Sequence, residues 1–219
     1  MRLDRPHAVT PISGSAGPAC PILIVAPPAE ILRIPVPDGW RADRAADVYD
    51  AIAVLRLSGS ALICLSTSLP DADAAMLRAA IAAMPAAPPV LRVDPALPPP
   101  DVRTLARLAV PPALPPPSDP LTRLAALLGR DGITRLLTAF QGRLHALAFA
   151  SDPYAVGEGT TPATLAHRVG GLAGTLDFAA LSAAWLRVES DGERHLPRAW
   201  DETRIAIAML DRMLAEPAG

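Results

Sequence analysis

Apolar positions along this chain follow two different periods. Up to about residue 93, short β-type runs at Ile22–Val25, Ala61–Leu65 and Val90–Val93, the last broken by Arg92, alternate with alanine-rich stretches at Ala45–Leu57 and Asp73–Met84. Such runs predict strands, and their alternation with helical stretches predicts a small α/β domain built on a parallel sheet. Pro35 and Pro37 interrupt the stretch Ala29–Ile34, so the first helix is expected to be short.

Past residue 119 the strand signal disappears and a 3.6-residue period takes over. Ile133, Leu136, Leu137, Phe140, Leu144 and Leu147 lie on one stripe of a helix of about five turns. Trp200, Ile207, Leu210 and Leu214 mark the last helix. Leu181, Trp185 and Val188 mark another, with Asp177 expected as its N-cap and Asp191-Gly192 as its end. The C-terminal hundred residues therefore read as all-α.

Between the two patterns, 13 of the 26 prolines fall from Pro85 to Pro120, and Pro111–Pro120 has room for neither a helix nor a central strand. The expected organisation is an N-terminal arm over 1–20, an α/β domain over 21–110, a proline-rich linker over 111–118 and a helical domain over 119–219.

Composition narrows the chemistry. Every one of the 20 basic residues is Arg; Lys and Asn are absent, and Gln141 is the single glutamine. A P-loop, a Schiff-base lysine and a kinase core are excluded. The formal net charge of −2 gives no basic surplus for nucleic acid. Cys20 and Cys64 lie in apolar surroundings without metal-ligand spacing, and no apolar run is long enough for a membrane span. These features lead to the expectation of a reduced, cytoplasmic protein without a metal or cofactor of its own.

One helix stands apart from the others. Thr161-Pro162 supplies a cap and a first-turn proline, and Leu165, Val169, Leu172 and Leu176 form an apolar face opposite His167. Ala163, Thr164, Gly170, Gly171 and Gly174 surround that histidine on its own face. Each helical glycine costs up to about 1 kcal/mol relative to alanine, so three sacrifice about 2–3 kcal/mol of local stability. Such a small-residue stripe admits a close neighbour. That neighbour is either a partner protein reaching the imidazole or simply the next helix of the same fold.

The run Ala166-His167-Arg168-Val169-Gly170-Gly171-Leu172-Ala173-Gly174, continuing through Trp185 to Val188-Glu189, resembles the histidine-containing phosphotransfer (HPt) domain. Its usual pattern is H-x-L-K-G-S-A, followed by a leucine and a helix ending in L-E. The resemblance covers about residues 119–219 and implies an antiparallel four-helix bundle. It further implies that His167 takes a phosphoryl group from an aspartyl phosphate on a response-regulator receiver, or on a hybrid kinase, and passes it to another receiver. The metal ion of that exchange, Mg2+, would belong to the partner.

By the same resemblance Gly171, four past the histidine, gives clearance together with Gly170 and Gly174. Glu189 accepts a hydrogen bond from Nδ1 and orients the ring; otherwise it is a solvated charge at a helix end. The family's lysine three past the histidine is Gly170 here, which leaves Arg168 as the nearby cation for phosphoryl oxygens. Without Asn, the chain lacks the ATP-binding box of a histidine kinase and must borrow its phosphate. A phosphate-free reading also stands: a module that binds or sequesters a receiver.

Residues 21 to about 117 resemble a receiver domain stripped of its chemistry. In Ala61-Leu62-Ile63-Cys64-Leu65-Ser66, Ser66 stands where the receiver's phosphorylated aspartate would be. The acidic pair after the first strand corresponds to Ala26 and Pro27, and the later lysine-proline falls near Pro111-Pro112. This pattern implies a pseudo-receiver used for docking, dimerisation or spacing, unless the segment is another small α/β domain of similar periodicity.

Overall fold

A computed structural model describes residues 20–31, 34, 36, 40–98, 102–109, 119–149 and 161–215. The expected arm lies almost entirely outside these residues, and the expected linker at 111–118 wholly so.

The first half forms four parallel strands, β1 (Cys20–Val25), β2 (Trp40–Ala45), β3 (Leu62–Ser66) and β4 (Val90–Val93), in the order β2-β1-β3-β4. Helices α1 (Pro28–Ile31), α2 (Val48–Leu57), α3 (Asp71–Ala82) and α4 (Val102–Leu108) connect and follow them. The solid apolar strands are the central pair. Ile22 to Val25 on β1 and Leu62 to Leu65 on β3 are at most 1% exposed, because helices cover both faces of the sheet. Leu23, Val25, Ile63 and Leu65 pack under α2 and α3. Ile22, Ile24, Leu62 and Cys64 pack with Ile34 and with Leu105 of α4 on the opposite face.

Two expectations need correction here. The alanine-rich stretch that was to begin at Ala45 begins at Val48, because Asp47 caps the helix by accepting the Asp50 N–H at 2.9 Å. Ala45 instead ends β2, an edge strand whose charged sequence Trp-Arg-Ala-Asp-Arg-Ala hides its strand character. Helix α4 is an addition to the expected pattern. The first helix is short, as the prolines require.

The second half consists of α5 (Asp119–Phe149), α6 (Pro162–Thr175), α7 (Ala179–Asp191) and α8 (Leu196–Ala215), with a 3-10 turn at Glu193–His195 before the last. Helix α5 is interrupted at Gly129, whose φ of +70° is cheap only for glycine. The stripes read from the sequence converge on one core, in which Leu137, Phe140, Leu144, Leu165, Trp185 and Leu210 are buried. Trp185 is fully covered, stacks edge-on against Trp200 and donates its indole N–H to Thr203 Oγ1 at 3.1 Å. Gly192, at φ +89°, ends α7 as expected. Asp177 does not cap α7: Phe178 occupies the cap position, while Asp177 takes a left-handed turn at φ +65°.

Helix α8 belongs to both halves. Ile205 is 1% exposed within the core beneath α2, while Leu210 lies in the helical core. Beside Ile205, the buried carboxylate of Glu202 accepts two hydrogen bonds from Arg56 at 2.6 and 3.1 Å. It also pairs with Arg198 at 2.6 Å. Arg212 grips Asp50 through two contacts of 2.6 and 2.9 Å and donates to the Arg44 carbonyl at 2.7 Å. Among the described residues, no helix is long and apolar enough to cross a membrane.

Candidate functional site

Thr161 Oγ1 accepts the Thr164 N–H at 3.2 Å and Pro162 opens α6, the start that the sequence prescribes. The helix then buries Leu165, Ala166, Ala173 and Leu176. His167 is directed away from this face, and its side chain is 72% exposed. The ring stands uncovered at mid-helix.

One side of the imidazole is nevertheless fixed. Glu189 of α7 places Oε1 at 3.1 Å and Oε2 at 3.4 Å from Nδ1. A carboxylate can only accept, so the neutral ring carries its proton on Nδ1 and keeps the Nε2 lone pair free. The arrangement pairs an accessible nucleophilic nitrogen with a carboxylate that can stabilise the ring as it becomes cationic.

The three glycines play unlike parts. At Gly171 an added Cβ would meet nothing within 4 Å, so this position is open beside the ring. At Gly170 it would come within 3.0 Å of Leu186 Cγ and 3.3 Å of the Ser182 carbonyl oxygen. At Gly174 it would come within 3.1 Å of Ser182 Oγ. The clearance expected at Gly170 and Gly174 is therefore clearance for α7, and Gly170 itself is buried. The alternative of close helix packing holds for these two.

Arg168 is exposed and points to the other flank of α6, where it lines a cleft with Arg143 of α5. Sequence reasoning overlooked Arg143, an ordinary exposed arginine until α5 and α6 lie side by side. It also overlooked Leu186, which is 42% exposed beside Gly170. A large apolar residue left open near the exposed imidazole is a signal that only the packing reveals.

In the α/β half, Ser66 ends β3 and is 1% exposed. Its hydroxyl donates to Glu30 Oε2 at 2.9 Å and accepts the Ser68 N–H at 3.1 Å. The Ser66 hydroxyl is thus already engaged. Ala26 and Pro27 follow β1, and the former is fully buried. The lysine-proline position near Pro111 lies outside the described residues.

No protein-family model matches the chain, and neither a curated protein nor a solved structure matches it.

Proposed function

We propose that helices α5 to α8 are the antiparallel four-helix bundle of an HPt domain and that the protein carries phosphate on His167 between receiver domains in the cytoplasm. The observation that supports this reading most is the pairing of an exposed His167 ring with Glu189 at Nδ1. In the step inferred, the Nε2 lone pair attacks the phosphorus of a receiver's aspartyl phosphate. The phosphorus–oxygen bond to the aspartate breaks, and its electrons return to the carboxylate. Glu189 holds the Nδ1 proton and balances the positive charge gained by the ring. Attack by a second receiver's aspartate on the phosphohistidine reverses these movements.

The α/β half is read as a degenerate receiver. Its serine cannot form an acyl phosphate, and its hydroxyl is occupied by Glu30. The buried Gly170, in the place of the family's lysine, supports the second reading, a module that binds a receiver without accepting phosphate.

The two readings part at the imidazole. Incubation with a phosphorylated receiver is expected to put acid-labile phosphate on the wild type and none on His167→Ala. Labelling that persists in the variant removes His167 from the role. A wild type that stays unlabelled while still binding receivers selects the second reading.

A further inference from the structure

The lysine that the HPt pattern carries three past its histidine is Gly170 here, buried beside Leu186 of α7. The other flank of the ring is furnished differently. At about 100° per residue, Gly170 lies about 60° around α6 from His167 on the α7 side, and Thr164 lies about 60° around on the opposite side. Glu189 of α7 holds Nδ1 from the first side at 3.1 Å, so Nε2 is the nitrogen left to the Thr164 side. A helical side chain leans towards the N-terminus of its helix, which carries the imidazole over the turn that contains Thr164. Gly171, about 40° around on that same flank, leaves room for a group on the ring, since an added Cβ there would meet nothing within 4 Å.

Thr164 is exposed, and its hydroxyl is half of a pair. Thr161 Oγ1, which accepts the Thr164 N–H at 3.2 Å, lies 2.9 Å from Thr164 Oγ1, and either hydroxyl can be the donor. When Thr161 donates, both oxygens stay bonded and the Thr164 proton is released outward. A phosphoryl oxyanion beside it selects that direction, because a hydrogen bond to a charged acceptor is about twice as strong as one between neutral groups. We infer that the Thr164 hydroxyl donates to a phosphoryl oxygen of phosphorylated His167 and so supplies one of the contacts that the missing lysine would have made. The inference rests on the proposed function for the identity of the group on the ring. Phosphate leaves a histidine through a loose, metaphosphate-like transition state, which carries less charge on those oxygens than the dianion does. A donor aimed at them therefore favours the bound state and lengthens its life.

The test uses phosphoramidate, which phosphorylates exposed histidines without a receiver: Nε2 attacks the phosphorus, the bond to the amine nitrogen breaks, and ammonia leaves. Full-length wild type, Thr164→Val and Thr164→Ser are treated alike and followed by phosphorus-31 resonance, with the His167 signal identified by its loss in His167→Ala. Valine keeps the shape of threonine without the hydroxyl, and serine keeps the hydroxyl. The phosphohistidine of Thr164→Val is expected to decay roughly three- to tenfold faster than that of wild type, and that of Thr164→Ser within about twofold of it. The pH at which the phosphoryl group passes from monoanion to dianion is expected to be higher in Thr164→Val, since a donor to the oxygens favours the dianion. A threonine that only supports the helix would not move that midpoint.

Equal decay and equal midpoints in wild type and Thr164→Val overturn the inference. So does a change that serine fails to restore, because the hydroxyl is then not its cause. Labelling by a phosphorylated receiver, run on the same proteins, separates this inference from the reading beneath it. The expected pattern with phosphoramidate, but no label from any receiver, removes the relay and leaves the hydroxyl contact. Receiver labelling with equal decay in all three proteins removes the contact alone, and a His167 that phosphoramidate leaves unlabelled overturns both.

Discussion

His167 and Glu189 are 22 residues apart in the chain, yet their Nδ1 and Oε1 atoms lie 3.1 Å apart across the contact between α6 and α7. That contact exists because Gly170 and Gly174 let α7 approach α6 closely. Packing and ring orientation are thus one arrangement.

Removal of the carboxylate tests the arrangement directly. Glu189→Ala is expected to slow phosphate acceptance roughly three- to tenfold, the worth of one partly exposed hydrogen bond. The ring's nitrogen-15 shifts report the tautomer, and in the variant the proton should distribute over both nitrogens instead of residing on Nδ1. Slow transfer with an unchanged tautomer would show that Glu189 acts other than by orienting the ring.

The glycines separate stability from access. Gly171→Ala gains helix propensity in open space and is expected to raise stability by up to about 1 kcal/mol. Gly170→Leu forces a larger side chain against Leu186 and the Ser182 carbonyl and is expected to cost about 1–3 kcal/mol. Urea unfolding of both variants decides the matter, and equal effects at the two positions would contradict the packing described.

Glu202 couples the halves. Glu202→Ala strands Arg56 and Arg198, whose side chains are 32% and 65% exposed. Because water can reach both arginines, the expected loss is about 2 kcal/mol, below that of a fully buried pair. Hydrogen exchange should rise in α2 and in α8 together. A rise confined to α8 would mean that the ion pair does not join the two halves.

Alkaline pH probes the sheet's interior. Burial pushes the Cys64 thiol up to about 11 from 9.0. Its folded-state pKa is raised, so its contribution is complete below about pH 9 and is lost as pH rises towards 11. A two-unit shift corresponds to about 3 kcal/mol. The Tyr49 phenol, raised chiefly by burial, acts in the same direction. Chemical denaturation of wild type and Cys64→Ala across that window checks this, and identical pH slopes would show that the thiol contributes nothing.

Much of this was legible from spacing alone. The central strands, the capped start of α6 and the outward direction of His167 follow from short-range pattern, whereas the Glu189 pairing was implied only by the family resemblance. The first three reflect burial on two sheet faces or one helix face, which periodicity records. Strand β2 was not legible because an edge strand with alternating charges carries no solid apolar run. Asp177 failed as a cap because the turn between α6 and α7 is tight enough to need its left-handed conformation. The sorting of the glycines was equally hidden, since Gly170 and Gly171 are adjacent letters, and only the position of Leu186 distinguishes them. The double allegiance of α8 arises from contacts across more than a hundred residues, and no local pattern encodes it.

That double allegiance limits how the protein can be dissected. Cut between Ala109 and Asp119, the sheet half would lose Ile205 as a plug, and the helical fragment would expose the same side chain to water. A gene segment transplanted at that boundary is therefore expected to carry uncovered apolar surface on each side of the cut.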